Sequence, residues 1–113
     1  MKAFEIYSWQ PAGWPAPHPA VIVANPDRVA NKPEVEVLMC SSNQAGRAVL
    51  PGEMLLDESD GLDWPTICKC DLIHAVKKSD LTGRRGEVSK SRRTQMVRLI
   101  IAAHAWGEIL AGG

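Results

Sequence analysis

The apolar period changes once along these 113 residues, and that change restricts the fold more than any other feature. Up to Ile73 the apolar residues alternate with polar ones or form short runs; from Lys90 they recur at helical spacing. Strands first and a helix last describe an α+β chain that is mainly β. Residues 3–9 read as a first strand with Phe4, Ile6 and Ser8 on one face. Residues 11–19 (PAGWPAPHP) hold four prolines, which lack the N–H that a sheet ladder needs, so this is a stiff surface loop. Residues 19–25 (PAVIVAN) form a buried strand, and Pro26-Asp27 begins a turn. Residues 34–40 (EVEVLMC) alternate Val35, Val37 and Met39 against Glu36 and Leu38. A polar loop spans 41–46, and residues 48–50 and 54–56 make a short hairpin around Pro51-Gly52. Ser89 caps a helix over 90–110 with Met96, Leu99, Ile100, Ala103 and Leu110 on one face, which Val97 and Ile101 widen. Arg92, Arg93 and Arg98 lie away from that face. The whole, residues 1–113, reads as one domain: a strongly bent antiparallel sheet or barrel closed by a terminal helix.

The most informative stretch is residues 61–73, GLDWPTICKCDLI. Residues 66–73 are strand formers or small buriable groups, bounded upstream by Gly61, Asp63 and Pro65. Strand alternation puts Cys68, Cys70 and Leu72 on one face and Ile67, Lys69, Asp71 and Ile73 on the other. Lys69 and Asp71 therefore stand side by side, roughly 6–7 Å apart at the backbone. That is either an ordinary ion pair at the rim of a small sheet, or a cation and a base held ready for acid–base chemistry on a phosphodiester.

Composition excludes more than it selects. An apolar content of 45% with 13 basic and 13 acidic residues argues against disorder. No apolar run is long enough to span a membrane, and the N-terminal MKAFEIYSWQP lacks the apolar core of an export signal. Three cysteines, an odd number, point to reduced thiols and a cytoplasmic location. The zero net charge hides an asymmetry: residues 51–63 carry five acids and no base, and residues 69–98 carry nine bases against three acids. Such polarity marks a phosphate-binding face or, residue by residue, solvated loops and a solvated helix face.

Cys68-Lys69-Cys70 is not a zinc knuckle, because no second Cys or His pair follows at ligand spacing. Cys40, Cys68 and Cys70 read as buried structural thiols. No phosphate-binding glycine loop occurs, so nucleotide binding has no support. No spacing supports a Ser–His–Asp set from Ser41, His18 and Asp71, and His74 and His104 read as packing or solvent-facing residues.

The order of the pieces resembles the PemK/MazF toxins of bacterial type II toxin–antitoxin systems, across nearly all of residues 3–110. FEIYSW is similar to the family's opening strand, and HPAVIVAN to its Arg-Pro-Val-Val-Val-Ser-Asn strand, with His18 where the arginine stands. EVEVLMCSS resembles the strand that ends in Thr or Ser, and GLDWPTICKCDLI the strand that ends in Cys-Asp. KKSDLTGRRGEVSKSRRTQMVRLI resembles the connection and final helix.

The resemblance implies a small SH3-like antiparallel β-barrel with a C-terminal α-helix. It also implies a homodimer held inactive by a cognate antitoxin, with no metal and no cofactor. The implied activity is sequence-selective cleavage of single-stranded RNA, in which the 2′-hydroxyl attacks the adjacent phosphorus. In the PemK branch an Arg-Cys-Asp strand and a loop histidine supply the chemistry. Lys69, Cys70 and Asp71 match that strand, which implies Asp71 as base, His18 as acid and Lys69 as electrostatic stabiliser. Ser41 or Ser42 would hold a phosphate oxygen, Arg47, Arg84 and Arg85 would track the RNA backbone, and Trp9 or Trp14 would stack a base. Lysine in place of arginine keeps the charge and loses the two-point grip on phosphate, as in a catalytically weakened member that only binds antitoxin. A second resemblance, of MKAFEIYSW and Trp106-Gly107-Glu108-Ile109 to the CcdB toxins, implies binding to DNA gyrase without nuclease activity; Trp106 is otherwise read as a core residue.

Overall fold

A computed structural model describes residues 1–112. Six strands, β1 (Glu5–Trp9), β2 (His18–Ile22), β3 (Glu34–Ser42), β4 (Glu53–Leu56), β5 (Thr66–Lys77) and β6 (Leu81–Glu87), form one antiparallel sheet in the order β4-β5-β3-β2-β1-β6. The ladder is open between β4 and β6, so the expected barrel is a strongly curved sheet. Three helices complete the fold: α1 (Pro26–Asn31), α2 (Lys90–Ala103) and α3 (Trp106–Leu110).

Both faces of the sheet are buried at its centre. Ile6, Val21, Leu38, Cys40, Cys68 and Cys70 pack with Met96 and Ile100 of α2 in one cluster. Ala20, Ile22, Val35, Val37, Val76 and Leu81 form a second cluster on the opposite face, with Tyr7, Trp9 and Val29 packed against it. A strand buried on both sides reads as a continuous apolar run, and this explains the PAVI and VLMC segments.

Several boundaries differ from the sequence reading, each for a local reason. Pro26 opens a helix rather than a turn, because proline suits the first helical position and Asn25 caps it, its Oδ1 accepting from the Arg28 N–H at 2.9 Å. Residues 48–50 are not a strand; β4 pairs with β5 instead. Strand β6, read as a connection, carries one buried apolar residue, Leu81, because it is an edge strand paired to β1 alone. The expected single helix breaks after Ala103, where Ala105 takes a left-handed φ of 55°. Beyond the break the apolar face loses its support: Leu110 is 89% exposed, and Trp106, expected in the core, is 43% exposed and stacked on His104.

The acidic stretch turns out to be a structural clamp for α2. The buried Asp60 carboxylate accepts from the backbone N–H groups of Asp57 and Ser89 and pairs with Arg92. Asp57 also pairs with Arg92 at 3.0 Å, and the guanidinium holds its carboxyl well below the usual range. Ser89 sits at the N-cap but makes no side-chain cap bond; Asp60 takes its backbone N–H instead. Arg92 and Arg93, expected on the solvated helix face, are both tied down, Arg93 to the Val88 carbonyl and Glu87. Gly86 is required where β6 crosses Asp60, since a Cβ there would clash with the Asp60 carbonyl oxygen.

Candidate active site

Strand β5 is longer than expected and irregular in the middle. Cys40 of β3 lies opposite Cys68, while Leu38 lies opposite Ile73, so two steps along β3 correspond to five along β5. Extra residues in one strand bulge outward and break the alternation of faces. Cys68 and Cys70 are buried in the first cluster, and Ile73 packs against it too. Between them Asp71 and Leu72 both point to solvent, Leu72 being 53% exposed. The expected faces therefore hold as far as Asp71 and are exchanged beyond it: Leu72 does not join the cysteines, and Ile73 does not join the charges. His74 moves as a result to the face of Lys69 and Asp71.

Asp71 packs against a turn whose backbone favours glycine. The Cys70 N–H donates to the Gly52 carbonyl at 2.9 Å, which brings the loop before β4 against the bulge. Gly52 has φ +86°, and a Cβ on it would lie 3.0 Å from Asp71 Cβ and 3.2 Å from its Cγ. Lys69 lies opposite Glu53 in the β4–β5 pair. Lys69 and Asp71 are both exposed, and no ion pair joins them among the described residues. The rim ion pair, one of the two sequence readings, does not form.

The same face carries the other groups. Ala20 lies opposite Met39, so alternation puts His18 and Ser41 on one side of the sheet. Ser41 is opposite Ile67, and Lys69 is two residues further along β5 on the same side. His18, expected in the loop, is the first residue of β2. Its Nδ1 is 3.3 Å from the Cys40 carbonyl oxygen. A carbonyl only accepts, so this contact puts a proton on Nδ1 and leaves Nε2 as the open nitrogen. Trp14 packs edge-on against the His18 ring with centroids 4.7 Å apart. Ser41 and Ser42, expected in a loop, end β3, Ser41 half-buried and Ser42 exposed.

Two arginines are already engaged. Arg47 grips Glu53 with two bonds of 2.8 and 2.9 Å, and this pairing lowers the Glu53 carboxyl to a pKa of about 2. Arg84 donates to Glu5 at 2.7 Å and lies 3.7 Å from Glu87. Arg85 is half-buried on β6, with β1 and β2 between that strand and β3. The thiols take no part: the contact with Cys40 pushes the Cys68 thiol up, the contact with Cys68 does the same for Cys70, and burial adds to both.

Sequence reasoning missed His74 and Gly52. Alternation is a local rule, and no residue near 70 signals that the register slips; the positive φ of Gly52 was visible only as a Pro-Gly turn. The missed His74 ring packs against Trp9 with centroids 5.2 Å apart, and Trp9 is the cross-strand partner of His18.

A curved antiparallel sheet braced by a C-terminal helix, with a half-buried histidine and an exposed lysine and aspartate on one face, defines a small β domain fitted for general acid–base chemistry. The chain belongs to the PemK-like, MazF-like toxins of type II toxin–antitoxin systems, whose family profile matches residues 10–103. Similar solved structures include an endoribonuclease in complex with its cognate antitoxin from a mycobacterial species, with a TM-score of 0.77 and 20% identity over 91% of this chain and 93% of that one. Another is the Mycobacterium tuberculosis toxin MazF-mt6, with a TM-score of 0.74 and 20% identity over 88% of this chain and 94% of that one. A third is an endoribonuclease from a mycobacterial species, with a TM-score of 0.74 and 20% identity over 91% and 89%. No curated protein matches the sequence significantly.

Proposed function

We propose that this chain is a toxin that cleaves single-stranded RNA by attack of the substrate's own 2′-hydroxyl. Asp71 takes the 2′-hydroxyl proton as O2′ attacks phosphorus. Lys69 balances the charge that builds on the phosphorane oxygens, and Ser41 or Ser42 holds one of them. His18, protonated at Nε2, gives its proton to the departing O5′. The products are a 2′,3′-cyclic phosphate and a 5′-hydroxyl. Trp14 stacks a base, and Arg85 contacts the backbone. Arg47 and Arg84 reach RNA only by leaving their carboxylate partners.

The exposure of Asp71 beside an unpaired Lys69 on one face of β5 is the observation that carries this reading. Purified protein is expected to cleave RNA in EDTA and leave those end groups, and Asp71→Ala to abolish cleavage with the fold intact. Full activity in that variant overturns the assignment.

The proposed partners are a second copy of the chain and a cognate antitoxin, as in the similar mycobacterial complex. Exposed apolar residues on α2 and α3, Val97, Ile101, Trp106 and Ile109, support burial against protein. The location proposed is the cytoplasm, where RNA and reduced thiols coexist; no helix among the described residues is long and apolar enough to cross a membrane. The exposed Trp106 favours a second reading, the gyrase-binding one. Toxicity that survives Asp71→Ala and is lost in Trp106→Ala would select it.

A further inference from the structure

A cavity of about 740 Å³ opens on a part of the molecule that the proposed chemistry does not use. It lies between the chain before β1, helix α1, the turn from β5 to β6 and the first turn of α2, and is lined by Ala3, Phe4, Val29, Ala30, Lys78 and Arg93 among others. That volume lies in the range of small-molecule sites. Phe4 precedes β1 and Trp9 ends it, so at ~3.3 Å per residue the cavity is roughly 15 Å from the Trp9 and His18 end of the sheet.

Its walls are apolar, and every charged side chain in its lining is a cation: Lys2, Lys78 and Arg93, with no carboxylate. Lys78 is half-buried, and its Nζ donates to the Val29 carbonyl at 2.7 Å. An ammonium carries three protons, and this one forms no ion pair among the described residues, so its charge and two of its donors lack a protein partner. The Lys2 backbone N–H donates to Glu5, and its ammonium also pairs with no carboxylate among the described residues. Arg93 differs. It is pinned by the Val88 carbonyl at 2.8 Å and by Glu87 at 3.0 Å, and lies over the Phe4 ring, 5.3 Å from its centroid. Phe4 itself takes a φ of 70°, which a bulky side chain rarely adopts. Its N–H donates to the Ile22 carbonyl and its carbonyl accepts from the Val88 N–H, and these two bonds hold it there. The aromatic wall is therefore fixed by distant elements and stands in place without a ligand.

We propose that this cavity binds a small amphipathic carboxylate, an aromatic ring or branched chain that bears one anionic head. The head pairs with Lys78, and the apolar body lies on Phe4, Val29 and Ala30. A single carboxylate suits the charges present, because Arg93 is already balanced by Glu87 while the two ammonium groups are not. A fully polar anion gains nothing from the walls, and a neutral apolar molecule leaves Lys78 unmatched. The site is separate from the groups that face the scissile phosphate and does not depend on the ribonuclease reading.

The test is titration of the whole chain with 4-phenylbutyrate and, as its neutral match, 4-phenylbutanamide, followed by calorimetry and by amide chemical shifts. A fragment of that size is expected to bind with a Kd of about 1 mM or tighter, with the largest shifts at Phe4, Val29 and Lys78. The amide should bind about 10- to 100-fold more weakly, the worth of one charge-assisted hydrogen bond, and Lys78→Gln should lose the same factor for the carboxylate. Ala30 is exposed on α1, so Ala30→Phe should fill the cavity and abolish binding while leaving the cations untouched. Should either variant melt early, the comparison of carboxylate with amide on the unaltered chain decides. Inorganic phosphate and a single-stranded 2′-deoxy oligonucleotide should leave the bound probe in place. Equal affinity for carboxylate and amide, displacement by phosphate or by the oligonucleotide, or no binding at about ten times the expected Kd overturns the site. So does carboxylate binding that a folded Lys78→Gln leaves unchanged. None of these outcomes bears on RNA cleavage, and a chain that cleaves no RNA is still expected to bind the probe.

Discussion

Replacing Gly52 by alanine separates the position of Asp71 from its presence. At φ +86° an alanine pays left-handed backbone strain of roughly 1–2 kcal/mol. Its new Cβ would also stand 3.0 and 3.2 Å from Asp71 Cβ and Cγ. Carbon atoms rest about 3.5–4.0 Å apart, so the Asp71 side chain or the loop must give way by roughly 0.5–1 Å. Relief of that contact adds about 1 kcal/mol, within the range of overpacking costs. The total, about 2–3 kcal/mol, corresponds to a fall in Tm of about 8–12 °C for a domain of this size. The chemical effect is larger than that loss suggests, since a misplacement near 1 Å costs up to about 100-fold in rate.

Gly46→Ala is the matched control. Gly46 has φ +70° and nothing within 4 Å of an added Cβ, so it shares the strain and lacks the contact. Both variants should lose thermal stability by calorimetry or circular dichroism. At 25 °C, where both remain folded, single-turnover RNA cleavage should drop about 10- to 100-fold in Gly52→Ala and stay near wild type in Gly46→Ala. Equal cleavage by the two variants, with Asp71→Ala inactive, would refute the idea that Gly52 sets the reach of the Asp71 carboxylate.

Asp60→Ala removes a buried carboxylate that serves two backbone N–H groups and Arg92, so it should cost about 3 kcal/mol in urea unfolding; a loss under about 1 kcal/mol would show that the clamp is slack. Glu53 is held near pKa 2 in the folded chain by Arg47, against an ordinary value of 4.5. Its contribution is therefore complete above about pH 4.5 and fades as pH falls towards 2. Glu53→Gln should flatten the acid limb of a Tm-against-pH profile in that window, and an unchanged limb would count against the pairing. The three buried thiols, two of them pushed up, should react slowly with a disulfide reagent in the native protein at pH 8, and all three should react at once in guanidinium.

The chain's local patterns carried much of the architecture. Strands before helix, the buried PAVI run, a third strand over 34–40, the proline-rich connection and the pairing of Lys69 with Asp71 on one face all follow from period and propensity, which act between neighbours; the alternation expected of the third strand fails at Leu38, which is buried. The site was legible in part for the same reason: Lys69 and Asp71 stand two residues apart, and alternation suffices to align them. What lay beyond reach depends on contacts distant in sequence. Residues LTGRRGE become β6 because β1 offers an edge, and one buried leucine is enough for a strand that pairs on one side. Asp57 and Asp60 of the acidic stretch, expected as solvated surface, are drawn inward because Arg92, more than 30 residues later, arrives to neutralise them. The same holds for the bulge. Its extra residues are set by how β3 and β5 must match around two cores, and this match turns Leu72 outward, Ile73 inward, and His74 towards Trp9. Local chemistry thus placed the charges on a strand, while the packing of distant strands settled what stands around them.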